Sequence, residues 1–163
     1  MQSALPLGSA APPFALPDAD GKAFSLSSLL ARGPLLLIFH KISCPTCQFA
    51  AEYWSRLAET AELNFRTLAQ DPPEHAAAFE REFDLRLPNL FDALDDGFPA
   101  SNAYGIRFVP TLFLIESDGR IAISSEGWDR EDFEAACGRI GAASPIRDDD
   151  DVPVVRPGCG SMN

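Results

Sequence analysis

This sequence predicts an α/β fold in which a mixed central β-sheet is flanked by helices, and three observations carry that prediction. The apolar pattern switches repeatedly between strand and helix character over residues 1–141. Leu35 to Phe39 is an unbroken apolar run ending at His40, the pattern of a strand buried on both faces of a sheet. Late in the chain Asp118-Gly119 is a hairpin signal between two strands, so the sheet cannot be wholly parallel.

The elements follow in order. Asp20-Gly21 marks a turn between two short strands in residues 14–26, an N-terminal β-hairpin extension. A short helix over residues 27–32 stops at Gly33-Pro34, and the buried strand Leu35–His40 follows. Pro45 fits the first turn of a helix, where its missing N–H leaves nothing unpaired, and this helix runs to about Thr60. Phe65–Ala69 is a strand and Pro73–Phe83 a helix, with a short extended piece at residues 89–92. Residues 96–104 are expected to be helical, although Gly97 and Pro99 sit inside the segment. Strands at 111–116 and 120–125 flank the hairpin signal, and Asp129 caps a last helix to about Ile140.

Residues 142–163 differ in composition. Pro145, the run Asp148 to Asp151, Pro153 and Pro157 give little to bury, so this acidic, proline-rich tail is expected to be flexible and its aspartates solvated. The 163 residues otherwise fit one domain, and a chain of about 150 residues buries roughly two-thirds of its unfolded surface without needing a metal or disulfide. The net charge of −11, with no basic patch, opposes binding to nucleic acid or anionic lipid. No apolar run approaches the length of a membrane span. Residues 1–11 lack the basic start of a signal peptide, so the chain is read as mature and cytoplasmic, and as a monomer.

Cys44 and Cys47 carry the chemistry. They follow a buried strand and open a helix, where unpaired N–H groups and the dipole stabilise a thiolate. The thiolate is the nucleophile of disulfide exchange. Cys44, at the helix end, is expected to attack, and Cys47, one turn inside, to resolve. The competing reading is half of a zinc site, but His40, His75, Cys137 and Cys159 form no second ligand pair, so no metal and no cofactor are expected. Val109-Pro110 stands directly before a strand, a position where a proline costs no ladder bond.

With these landmarks in order, residues 8–141 resemble the thioredoxin superfamily, and within it the TlpA/ResA/CcmG-like (redoxin) branch. The resemblance rests on Pro13-Phe14, Gly21-Lys22, Cys44-Pro45-Thr46-Cys47, Ala103-Tyr104-Gly105-Ile106, Val109-Pro110-Thr111, Asp118-Gly119-Arg120-Ile121 and Glu126-Gly127. It implies a thioredoxin-like fold and a thiol-disulfide oxidoreductase. It also implies a cis Pro110 against the cysteine pair, with Val109 and Pro110 forming a backbone platform for the substrate chain. The partners implied are protein disulfide or dithiol substrates and an upstream thiol reductant. Three positions depart from the pattern. Ile38 stands where thioredoxins carry a buried aspartate, Ala50 where the ResA branch has a glutamate, and Ser43 where a tryptophan is usual. Glu52 is two residues past Ala50, about 200° around the helix, and does not substitute.

Two further residues are candidates. His40, four residues before Cys44, is a candidate for proton transfer or, with Lys41, for stabilising the thiolate as a cation; the alternative is that it packs in place of an aromatic. Cys159, between Gly158 and Gly160, is a candidate third thiol, because thirteen extended steps from Ile146 reach about 45 Å. Cys137 lies on an apolar helix face and reads as a buried thiol. Two other functions compete. A peroxiredoxin-type peroxidase wants P-x-x-x-T/S-x-x-C, but Leu37 and Lys41 occupy those positions before Cys44, and His40 and Cys44 before Cys47. A copper- or zinc-binding module would use the cysteines with His40.

Overall fold

The alternating strand and helix signals become a mixed sheet with helices packed on it. The structure is a computed structural model that describes residues 5–60 and 62–163. The reading of residues 1–11 as a mature start therefore falls partly outside the described residues. The chain begins with a hairpin, β1 Ala15–Pro17 paired antiparallel with β2 Ala23–Ser25, followed by α1 Leu26–Leu30. Ser25 caps α1 reciprocally with Ser28.

β3 Leu35–His40 is buried along its whole length, as its apolar run requires. It lies at the centre of a five-stranded sheet. β4 Phe65–Ala69 runs parallel to it, and β5 Asn89–Phe91 lies parallel beyond β4. On the other side β7 Thr111–Ile115 and β8 Ile121–Glu126 are antiparallel, giving the order β5-β4-β3-β7-β8. Helices α2 Pro45–Ala58, α3 Pro73–Phe83 and α5 Arg130–Arg139 join or follow these strands. Asp129 caps α5 by accepting from the Asp132 amide.

The helix expected over 96–104 is shorter than the pattern suggested. Leu94–Asp96 form a 3₁₀ turn, Gly97 adopts the left-handed region, and α4 Pro99–Ala103 begins only at the proline. A proline suits the start of a helix better than its interior. Asp92 replaces the missing cap, accepting from the Ala100 and Ser101 amides at 2.8 and 2.7 Å.

The largest difference from expectation is the C-terminal segment. Residues 142–163, expected to be flexible, return across the domain and end in two short strands. β10 Val155–Arg156 pairs antiparallel with β9 Trp128–Asp129, and β11 Cys159–Gly160 pairs antiparallel with β6 Phe108–Val109. Ile146 is buried in the main core and Val152 packs against it. The aspartate run is not uniformly solvated either. Asp150 accepts from Arg56 of α2 at 2.7 Å, and the same guanidinium donates to the Pro145 carbonyl. Composition missed this docking because the arm is held chiefly by backbone groups rather than by apolar side chains.

Candidate active site

β3 delivers the chain to the mouth of the site and α2 begins there. Cys44 is the N-cap of α2 and Pro45 its first residue. The Cys44 sulfur lies 3.5 Å from the Cys47 amide, where an N-cap acceptor sits. The peptide bond between Val109 and Pro110 is cis, and the Val109 carbonyl oxygen lies 3.5 Å from Cys44 Sγ. The structure thus brings together Cys44, Cys47, Val109 and Pro110, four of the residues singled out in the sequence.

It brings in a fifth. Cys44 is joined by a disulfide to Cys159, whose Cα lies 5.9 Å away, 115 residues along the chain. Cys47 is a free thiol. Cys159 sits directly opposite Val109 in the β11–β6 pair. Cys44 and Cys47 are 0% and 2% exposed, while Cys159 is partly exposed. Burial pushes the Cys47 thiol up to about 12, against smaller opposing effects from Lys41.

His40 does not serve as a cation here. It is buried, and desolvation lowers its pKa, so the ring is neutral near pH 7. Its Nε2 donates to Asn89 Oδ1 at 2.9 Å, and its edge meets Trp54. Ile38 and Ala50 are buried and apolar, so neither position supplies a carboxylate. A carboxylate does reach the region from elsewhere. Asp71, just after β4, accepts from the Ile42 amide at 2.7 Å and its charge acts on both Cys47 and His40. Sequence reasoning missed Asp71, because nothing in its local pattern ties it to a loop 29 residues earlier. Cys137 is a buried free thiol, its pKa raised to about 12 by burial.

Among the described residues no group of three or more His, Cys, Asp or Glu is arranged to hold a metal ion. Among them, no helix is long and apolar enough to cross a membrane.

The sequence profile of the Redoxin family matches residues 6–136. The Mycobacterium tuberculosis protein MT2597, whose name assigns it provisionally to the peroxiredoxins, is 30% identical over 129 residues, covering 72% of this chain and 82% of that protein. The thiol-disulfide oxidoreductase ResA of Bacillus thuringiensis subsp. konkukian is 30% identical over 125 residues, covering 74% of this chain and 70% of its own. Among solved structures, the thioredoxin domain of the thiol-disulfide oxidoreductase BVU-2223 from Bacteroides vulgatus superposes with a TM-score of 0.68. It is 20% identical, covering 82% of this chain and 96% of that one, and it bears on the fold alone.

Proposed function

The chain belongs to the redoxin family and is a thiol-disulfide oxidoreductase, and from that premise we propose that Cys44 is its nucleophile, Cys47 a resolving thiol, and the Val109–Pro110 edge the platform for an extended protein substrate. The Cys44 thiolate attacks a substrate disulfide. One substrate sulfur leaves as a thiolate and the other is held in a mixed disulfide. Cys47 then attacks Cys44 Sγ, the second substrate thiolate leaves, and the enzyme is left with a Cys44–Cys47 disulfide; its return to the dithiol state draws two electrons from an upstream thiol reductant. Helix capping favours Cys44 over Cys47 as the attacking group, because its sulfur is the N-cap acceptor for the Cys47 amide, while burial holds the Cys47 thiol protonated.

One observation carries this reading. An extended segment pairs with Val109 in antiparallel register and presents a cysteine to Cys44. A substrate strand would need the same register. The test is reduction of insulin disulfides. Cys44→Ser is expected to abolish it, and Cys47→Ser to accumulate mixed disulfides with substrate; full activity in Cys44→Ser overturns the assignment.

The relative named among the peroxiredoxins favours a second reading, thiol peroxidase. Against it, Leu37 and Lys41 stand where the peroxidatic loop wants proline and threonine or serine. Rapid hydrogen peroxide turnover with a thioredoxin-type reductant would reverse the ranking.

A further inference from the structure

The arm that carries Cys159 is seated in a built receptor. Trp128 Nε1 donates to the Pro153 carbonyl at 2.9 Å, and Thr46 Oγ1 to the Pro157 carbonyl at 2.6 Å. Beyond β11, the Ser161 amide donates to the Arg107 carbonyl at 3.0 Å. The last two residues meet Gln70, which is 0% exposed. Gln70 Oε1 accepts from the Met162 amide at 2.9 Å and Nε2 donates to Asn163 Oδ1 at 3.1 Å. Asn163 also donates to Asn102 Oδ1 and the Ile106 carbonyl. Two glycines make the approach sterically possible. A Cβ on Gly158 would stand 2.5 Å from the Val109 oxygen, and one on Gly127 would stand 2.7 Å from the Arg156 oxygen.

Resting on the assignment of Cys44 as nucleophile, we infer that Cys159 is a third redox thiol: the docked C-terminal arm is the enzyme's own substrate strand, and an external thiol reductant enters the cycle by attacking Cys159 Sγ of the Cys44–Cys159 disulfide. Exposure selects the sulfur that is attacked. Cys44 is wholly buried beneath the arm, and Cys159 is the partly exposed member of the pair. The leaving group selects it too, because attack on Cys159 expels the Cys44 thiolate, which remains at the N-terminus of α2. The reductant's sulfur bonds to Cys159 Sγ, the Cys44–Cys159 bond breaks, and its electron pair goes to Cys44. A second reductant thiolate then attacks its own partner's sulfur in the new mixed disulfide and releases Cys159. Two external thiols become one disulfide, and the internal disulfide becomes two thiols. The end of the arm is thereafter held by non-covalent contacts alone, and a protein disulfide displaces it along the same Val109 edge. The Cys44–Cys159 disulfide forms by exchange once a substrate has left: the Cys159 thiolate of the redocked arm attacks Cys44 Sγ of the Cys44–Cys47 disulfide, that bond breaks, and Cys47 leaves and takes up a proton, as its raised pKa favours.

The test uses the full chain and reduced glutathione as the probe. Diamide-oxidised protein is mapped by peptide mass, then given glutathione and quenched in acid after short times. The expected disulfide is Cys44–Cys159, and the first glutathione adduct is expected on Cys159. Gly158→Val, which blocks the approach to Val109, is expected to leave Cys159 free and move the disulfide to Cys44–Cys47. Cys159→Ser is expected to slow glutathione reduction of the oxidised enzyme about tenfold or more, since the remaining sulfurs are buried. An adduct on Cys44, a free Cys159 in oxidised wild-type protein, or wild-type reduction rates in Cys159→Ser each overturns the inference. An active Cys44→Ser enzyme would instead overturn the nucleophile assignment beneath it, so the two failures are distinguishable.

Discussion

Thr46, the residue between Pro45 and Cys47, donates its hydroxyl to the Pro157 carbonyl at 2.6 Å, tying the cysteine motif to the arm two residues before Cys159. Thr46 is buried, so removing its hydroxyl leaves a backbone acceptor short of a partner. A hydrogen bond of this kind is worth about 1 kcal/mol net, or about fivefold in an equilibrium constant. Thr46→Val keeps the shape and removes the donor. In reduced protein, the Ser161 and Met162 amides are then expected to exchange hydrogen about fivefold faster, read by mass spectrometry, with the amides of β3 unchanged. Equal exchange in both proteins would show that this contact does not hold the arm.

The Cys47 thiol gives a pH signature. Its pKa is pushed from 9.0 to about 12 by burial. Below that value the thiolate fraction rises about tenfold per pH unit. In Cys159→Ser, where only Cys47 can resolve, release of a Cys44 mixed disulfide is expected to accelerate log-linearly from pH 7 to 10 without a plateau. The same shift makes folding pH-dependent. A thiol raised in the folded state contributes stability that is complete below pH 9 and is lost as pH rises towards 12, at about 1.4 kcal/mol per pH unit. A plateau in the release rate near pH 8.5 would place Cys47 in solvent.

The catalytic half of the site was legible because its signals are local. Pro45 after Cys44 marks a helix start, Leu35 to Phe39 marks a buried strand, and Asp118-Gly119 marks a hairpin; each appears as read. The arm was not legible in the same way. Its strands are two residues long, and what stabilises them is a set of backbone partners on β6 and β9 that no composition reveals. The available signals were Cys159 between two glycines and a reach long enough to return, which admitted a third thiol without placing it. Asp71 escaped for a similar reason, since its partner is an amide on another loop. His40 was found, but its burial between Asn89 and Trp54, and hence its neutrality, is a tertiary property.

That neutrality predicts how His40 shapes stability. Desolvation lowers its folded-state pKa below 6.5, so the unfolded chain binds a proton more readily than the native state. Its contribution is complete above pH 6.5 and is lost as pH falls from there through the lower folded-state value. His40→Phe replaces the ring with an aromatic that cannot titrate. The variant is expected to lose the part of the stability decline below pH 6.5 that His40 causes, seen in urea midpoints from pH 7 to 5. Disulfide exchange at pH 7 is expected to change little, since the ring is engaged with Asn89. A fall in exchange rate at unchanged stability would instead assign proton transfer to His40.

The aspartate run makes the last prediction, because its four members are not equivalent. Asp150 receives Arg56 at 2.7 and 3.4 Å and also accepts the Arg147 amide at 2.6 Å. Its side chain is 16% exposed, and that of Arg56 18%. Asp148, Asp149 and Asp151 are exposed. Arg56 therefore holds the Asp150 carboxyl below the usual carboxylate range, and the resulting stability is present above the unfolded pKa and is lost as pH falls through the lower folded one. Asp150→Asn is expected to lower the thermal midpoint at pH 7 and to loosen the arm's attachment to α2, seen as faster hydrogen exchange at Arg147 and Asp150. The same change at Asp148, Asp149 or Asp151 is expected to leave the midpoint within the small range typical of surface substitutions. Arg56→Met with Asp150→Asn should cost less than the sum of the two single changes, as for any pair in direct contact. Additive effects would mean that Arg56 and Asp150 act independently, and that the run is held to the domain by the Pro145 carbonyl and the packing of Ile146 alone.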